Sequence, residues 1–185
     1  MGGPEIIVPD KKEIIQVFED LNLDLPVMKH SVTVNKIALK ISEALLAENV
    51  PLKTPIINAG SLLHDIGRTR VNDISHGVVG GEIIARLGYH NDIKRIAETH
   101  VLGGFTVIEA QELGLPARDY RPVTLEEKIC CYADKLCIED RQVSLKYRFQ
   151  KWASIYGETP LIIEAYGRLR IIEDELKSYG LDAFF

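Results

Sequence analysis

Ser61-Leu62-Leu63-His64-Asp65-Ile66-Gly67-Arg68 sets a nitrogen ligand beside a carboxylate at the end of an apolar run. Read with the residues before it, the stretch predicts a helix begun by Thr54-Pro55 and ended by Gly67, a residue suited to helix termini. A His-Asp pair is weak evidence by itself. Its weight comes from the polar residues that other helices place on their apolar faces: His30, His76, His100 and Asp134.

Apolar residues recur along the chain at intervals of three and four, the period of an amphipathic helix, and strand signals are almost absent. The expected helices run from Pro9-Asp10 to about Leu21, from Pro26 to about Glu48, from His76 to Leu87, and from an Asn91 cap to about His100. A short piece follows near Val107 to Leu113. Thr124 with Glu127 gives a capping box for a helix through Cys137, and Ser144–Tyr156 and Pro160–Tyr179 read as the last two. No repeat or Gly/Ser linker divides the chain. The expectation is an all-α single domain, 1–185, with a core at 26–140 and a C-terminal helical extension at 144–185.

The 46% hydrophobic and 26% charged residues are those of an ordinary globular protein. A net charge of −5 argues against general nucleic-acid binding, though not against a local basic pocket. Cys130, Cys131 and Cys137 are odd in number and lack a Cys-x-x-Cys, so they read as small buried apolar residues in a reducing compartment. No apolar run approaches a membrane span. Signal-peptide features are lacking, and Met1-Gly2 starts like a myristoylation signal that Ile6 breaks. The expected location is the cytoplasm, the expected state a monomer or homodimer. Phe184-Phe185 would be an apolar tail that docks on the domain or on a second copy.

Each polar candidate shares a face with apolar residues: His30 with Val34, Ile37 and Ile41; His76 with Val79, Ile83 and Leu87; His100 with Ile93, Ile96 and Ala97; Asp134 with Cys130, Cys131, Cys137 and Ile138. A lone histidine in such a place is usually a satisfied core residue. A buried carboxylate costs several kcal/mol unless it is paired or bound to metal. One imidazole on each of three helices, the His64-Asp65 doublet and an inward aspartate on a fourth together point to a metal site. His90, after Gly88-Tyr89, reads as a surface turn residue.

The order His30, His64-Asp65, Asp134 resembles the H…HD…D pattern of the HD-domain (HDIG-type) superfamily of metal-dependent phosphohydrolases. Met28-Lys29-His30-Ser31, Leu62 to Gly67 and Tyr132-Ala133-Asp134-Lys135 are similar to its three motif regions. Ser75-His76-Gly77 and Glu98-Thr99-His100 resemble the extra histidines of the two-metal subgroup. The resemblance covers about residues 26–140 and implies that His30, His64, Asp65 and Asp134 bind one metal. In the two-metal variant Asp65 bridges and His76 and His100 hold the second ion; a pair that merely lines the pocket is the one-metal alternative.

The mixed oxygen and nitrogen set suits Mn²⁺, Fe²⁺, Co²⁺, Ni²⁺ or Zn²⁺, and Mg²⁺ less well. The implied chemistry is hydrolysis of a phosphoester or phosphoanhydride of a small phosphorylated substrate, a nucleotide above all, by metal-activated water. Asp65 would orient or deprotonate that water. Arg68 stands where the commonest motif has Lys, and would offer phosphate a planar fork. Lys135 points about 100° from Asp134 on a helix and would serve from the rim. Arg141 is a weaker candidate. The basic stretch 141–151, with Tyr147, Phe149 and Trp152 interleaved, could hold a base or second phosphate, but reads more simply as a solvated amphipathic helix. Two other readings stand: a diiron oxygenase of the same fold, and a non-catalytic metal-stabilised nucleotide-binding module.

Overall fold

The computed structural model describes residues 7–181. The Met1-Gly2-Ile6 reading and the Phe184-Phe185 tail lie outside the described residues. The described chain is helical: α1 Lys11–Asp20, α2 Leu25–Ala47, α3 Thr54–Leu63, α4 His76–Arg86, α5 Asn91–Thr99, α6 Val107–Glu112, α7 Leu125–Lys135, α8 Leu145–Tyr156 and α9 Pro160–Ser178. Side-chain oxygens at the starts satisfy N–H groups that a first turn leaves open. Asp10 and Glu13 make a reciprocal capping box on α1, as do Thr106 and Glu109 on α6. Thr124, Ser144 and Thr159 accept from the third residue of α7, α8 and α9.

The long α2 packs on α3 and α7, and the antiparallel pair α4–α5 packs on α3 through α5. One apolar core runs through all of these, from Ile14 and Phe18 through Val34, Ile41, Leu63 and Ile96 to Ile129, and on to Leu169 and Leu176 of α9. A smaller cluster, Val78, Val101, Phe105, Ala110, Leu115 and Tyr120, closes the other side. Helix α9 packs against α7 and the turn at Val101–Gly103, and α8 packs against α9. All three cysteines are free and buried, as expected. No helix among the described residues is long and apolar enough to cross a membrane.

Four local expectations are corrected. The third helix stops at Leu63, and Ile66–Thr69 forms a 3₁₀ turn. Gly67 therefore does not end the helix but lets that turn lie on α4: a Cβ there would sit 2.0 Å from the His76 carbonyl oxygen. The cap of α5 is His90 rather than Asn91, its ring accepting from the Asp92 N–H. Glu127 bonds the Val123 N–H, so the Thr124 box is only half formed. Finally, α7 ends at Lys135, and the chain turns into a two-strand hairpin, β1 Cys137–Ile138 with β2 Arg141–Gln142, with Glu139 at φ 56°. The period of three and four carried no sign of this hairpin.

Candidate metal centre

Helix ends supply most of the site. His64 caps the C-terminus of α3 and Asp65 follows it with non-helical angles, φ −98° and ψ 11°. His76 opens α4, His100 caps the C-terminus of α5, and Asp134 is the last residue but one of α7. His30 comes from the second turn of α2.

Three of the rings are fixed in the same way. His64 Nδ1 donates to the Ser61 carbonyl at 2.7 Å, His76 to Asp73 at 2.7 Å and His100 to Ala97 at 2.8 Å. Each acceptor lies three residues back along the chain. His30 Nδ1 instead donates across the fold to the Glu139 carbonyl of the hairpin, at 2.8 Å. A carbonyl can only accept, so every Nδ1 carries the hydrogen, and a ring that is neutral turns an Nε2 lone pair inward. Such backbone partners orient imidazoles for metal binding.

The inward atoms converge on Asp65 and Asp134. Asp65 Oδ1 lies 3.1 Å from His76 Nε2 and 3.4 Å from His100 Nε2. Its other oxygen, Oδ2, lies 3.8 Å from His30 Nε2 and 3.7 Å from His64 Nε2. Asp134 Oδ1 lies 2.9 Å from His30 Nε2 and 3.8 Å from His64 Nε2. One carboxylate thus faces two pairs of imidazoles.

The hydrogen-bond balance tests whether these residues fit a metal. His64 Nε2 is buried without a hydrogen-bond partner, and Asp65 Oδ1 has none of hydrogen-bonding geometry, its nearest ion-pair neighbour being Arg68 Nε at 2.9 Å. His76 and His100 point Nε2 at Nε2 across 3.0 Å. Acceptors crowded together with too few hydrogens between them are unfavourable unless a cation sits among them. Three overlapping groups have ligand atoms within 4.8 Å of one another: His30-His64-Asp65, His64-His100-Asp134 and Asp65-His76-His100. The residues fit one or two divalent ions.

Burial also keeps two of the rings, His64 and His100, neutral. It lowers His64 below its usual value and pushes His100 down to about 3. For His30, burial opposes charge, but the bonds to Asp134 and Cys137 and the charges of Asp134 and Asp65 together outweigh it and raise the ring to about 10. Burial would raise Asp134, yet Lys135 and His30 beside it hold the carboxyl well below the usual range.

A cavity of about 680 Å³ opens over the cluster. Arg68 lines it, with Nε 2.9 Å from Asp65 Oδ1. Lys135, expected at the rim, is buried and ion-paired to Asp134: its stem folds back over the carboxylate. Arg141 is exposed on β2 and outside the cavity, and His90 is a helix cap. The far wall is Arg148, Trp152 and Tyr156 of α8, in and beside the stretch read more simply as a solvated helix, with Leu161 and Ile162 of α9, which the sequence did not single out. The four-residue spacing of Arg148 and Trp152 was the available signal, but it equally fits a solvated helix.

The fold and the cluster define a helical protein with a buried imidazole–carboxylate cluster able to hold a metal ion. The HD domain family model matches residues 27–138, and the chain belongs to the HD-domain family. Among curated relatives, it is 37% identical over 171 residues to a tRNA (cytidine(56)-2′-O)-methyltransferase of Picrophilus torridus. That match covers 92% of this chain and 47% of the relative, so the chain spans about half of the relative's length. An uncharacterised protein of Methanocaldococcus jannaschii is 37% identical over 152 residues, 82% of this chain and 88% of that one. Among solved structures, the HD domain of the L. monocytogenes phosphodiesterase PgpH aligns at 18% identity and TM-score 0.49, covering 93% of this chain and 99% of that one.

Proposed function

We propose that this chain hydrolyses a phosphoester or phosphoanhydride bond of a small phosphorylated substrate, a nucleotide being the best fit. In this reading α8 and α9 form one domain with the HD core. The observation that carries it is the hydrogen-bond deficit: four imidazoles fixed through Nδ1 turn their Nε2 atoms onto two carboxylates, inside the segment that the family model matches.

His30, His64, Asp65 and Asp134 would hold one ion, and His76, His100 and the second oxygen of Asp65 another. Divalent ions there lower the pKa of water towards neutrality and polarise a phosphoryl oxygen. The remaining work falls to side chains of this protein. Asp65 would hold the attacking water in place through the ions it binds. Arg68, at the mouth, gives its outer N–H groups to phosphoryl oxygens, and Lys135 stabilises negative charge beside Asp134. The apolar wall of α8 and α9 excludes water and suits the flat part of a nucleotide. The cavity volume is within the roughly 300–1,000 Å³ of small-molecule sites.

The methyltransferase name belongs to a protein about twice as long, whereas the residues carrying this proposal all lie in the shared half. The test is elemental analysis of the purified protein, paired with an anaerobic phosphate-release screen over nucleotides and simple phosphate esters with Mn²⁺, Co²⁺ or Ni²⁺. Metal at one to two ions per chain with phosphate release supports the hydrolase. Oxygen consumption with iron and no phosphate release would overturn it in favour of an oxygenase. Tight nucleotide binding without turnover would make the chain a binding module.

A further inference from the structure

Three cations line the cavity, and two of them are matched. Arg68 is paired with Asp65 and Lys135 with Asp134. The third, Arg148, is half-buried, and no carboxylate among the described residues lies within ion-pair distance of it. Its guanidinium is fixed nonetheless. Nη2 donates to the Asp134 carbonyl at 3.2 Å and Nε to the Lys135 carbonyl at 3.4 Å. Its carbon stands 5.7 Å from the ring centre of Trp152, one helical turn further on, and Lys135 Nζ stands 6.0 Å from the same ring. Two N–H groups are thus committed to backbone and the others are left for the cavity.

A half-buried cation without a counter-charge, held rigidly over a ligand site, is arranged for an anion. The acidic neighbours do not remove the need. If Asp65 and Asp134 ligate cations, their charge is spent there.

We propose that Arg148 is a phosphate-binding residue of this site, presented by the Trp152 ring, and that the group it takes is a terminal phosphoryl group of a small ligand. The inference rests on the phosphohydrolase reading for its metals. It adds a recognition element from α8, outside the family segment at 27–138. Arg offers a planar fork matched to a pair of phosphoryl oxygens, and a phosphomonoester keeps one more terminal oxygen than a diester to share between fork and metals. Trp152 acts as a positioning residue: its ring is almost wholly buried and stands beside both cations.

The test is calorimetric binding to metal-loaded protein, with inorganic phosphate, a nucleoside 5′-monophosphate and the parent nucleoside as probes. Arg148→Gln is expected to weaken both phosphate-bearing probes about tenfold while metal content and nucleoside binding stay at wild-type values. Arg148→Lys, which keeps the charge and loses the fork, should fall between. In Arg148→Ala, millimolar guanidinium should restore part of the phosphate affinity, a rescue that a merely structural role would not give. Equal phosphate binding by wild type and Arg148→Gln would overturn the proposal, as would failure of the wild type to bind phosphate, or metal loss in the variant. The hydrolase reading fails separately, when wild-type protein binds the monophosphate through Arg148 but releases no phosphate.

Discussion

His76 and His100 face each other Nε2 to Nε2 across 3.0 Å, while each gives its Nδ1 hydrogen to a backbone carbonyl three residues back. With both hydrogens committed outward, two lone pairs meet inside the protein next to Asp65 Oδ1. If this pair holds a second ion, His100→Ala should lose about one ion per chain and keep the other. Elemental analysis of the variant beside wild type measures it. Unchanged stoichiometry would mean that the two rings only line the pocket.

Asp65 turns one oxygen to His76 and His100 and the other to His30 and His64. A group shared by both halves should matter more than a ligand of either. Asp65→Ala is expected to abolish retention of both ions, with phosphate release falling to background, whereas His100→Ala retains one ion. Retention of a full complement by Asp65→Ala would rule out bridging.

Removing the metals should also destabilise the fold, because their loss returns the buried acceptors to mutual repulsion. Binding to the folded state alone contributes about 2.7 kcal/mol when free metal is a hundredfold above its dissociation constant. For a chain of this size that is a midpoint shift of roughly 5–10 °C. Thermal unfolding with chelator and after re-addition of Mn²⁺ or Co²⁺ reads it. Identical midpoints would speak against a site built around bound ions.

The Gly67 position gives a sharper structural test. A methyl group there would meet the His76 carbonyl oxygen at 2.0 Å and the Gly80 nitrogen at 2.6 Å, both backbone atoms with no rotamer to yield. Gly67→Ala should cost about 3 kcal/mol, roughly 10 °C in melting midpoint. Because the clash pushes the Asp65 turn away from α4, metal bound near His76 should weaken as well. A variant with wild-type stability would show that the 3₁₀ turn can move freely against α4.

What the sequence disclosed depended on how local each feature is. His30, His64, His76, His100 and Asp134 could be placed because each sits in the apolar period of its own helix, and their convergence followed from needing one common core. The partner of His30 could not be placed: the Glu139 carbonyl is 109 residues away, on a hairpin too short to leave a pattern. Gly67 was visible as a glycine, but a helix stop and a close approach look alike until α4 is docked. Arg148 and Trp152 were seen as a basic, aromatic stretch. Whether that face meets solvent or the cavity depends on how α8 packs over α7, a tertiary fact with no local signature.

The packing of the C-terminal helices depends partly on an ion pair between α9 and α6. Arg168 of α9 gives Nη1 to both oxygens of Glu109 on α6, at 2.9 and 3.2 Å, and Nη2 to the Leu102 carbonyl at 3.5 Å. Burial works against ionisation of Glu109, but the Thr106 N–H and Arg168 outweigh it and hold the carboxyl below its usual 4.5. A depressed carboxyl pKa contributes stability that is present above the unfolded value and lost as pH falls through the folded one. Glu109→Gln should therefore destabilise the protein by about 1–2 kcal/mol at pH 7. The difference from wild type should shrink as pH drops below about 4.5 and vanish only under the lowered value of the folded Glu109, where both proteins carry a neutral group. Denaturant unfolding at a series of pH values checks this; a difference that stays constant through the carboxylate range would mean that the glutamate's charge is not what ties α9 to α6.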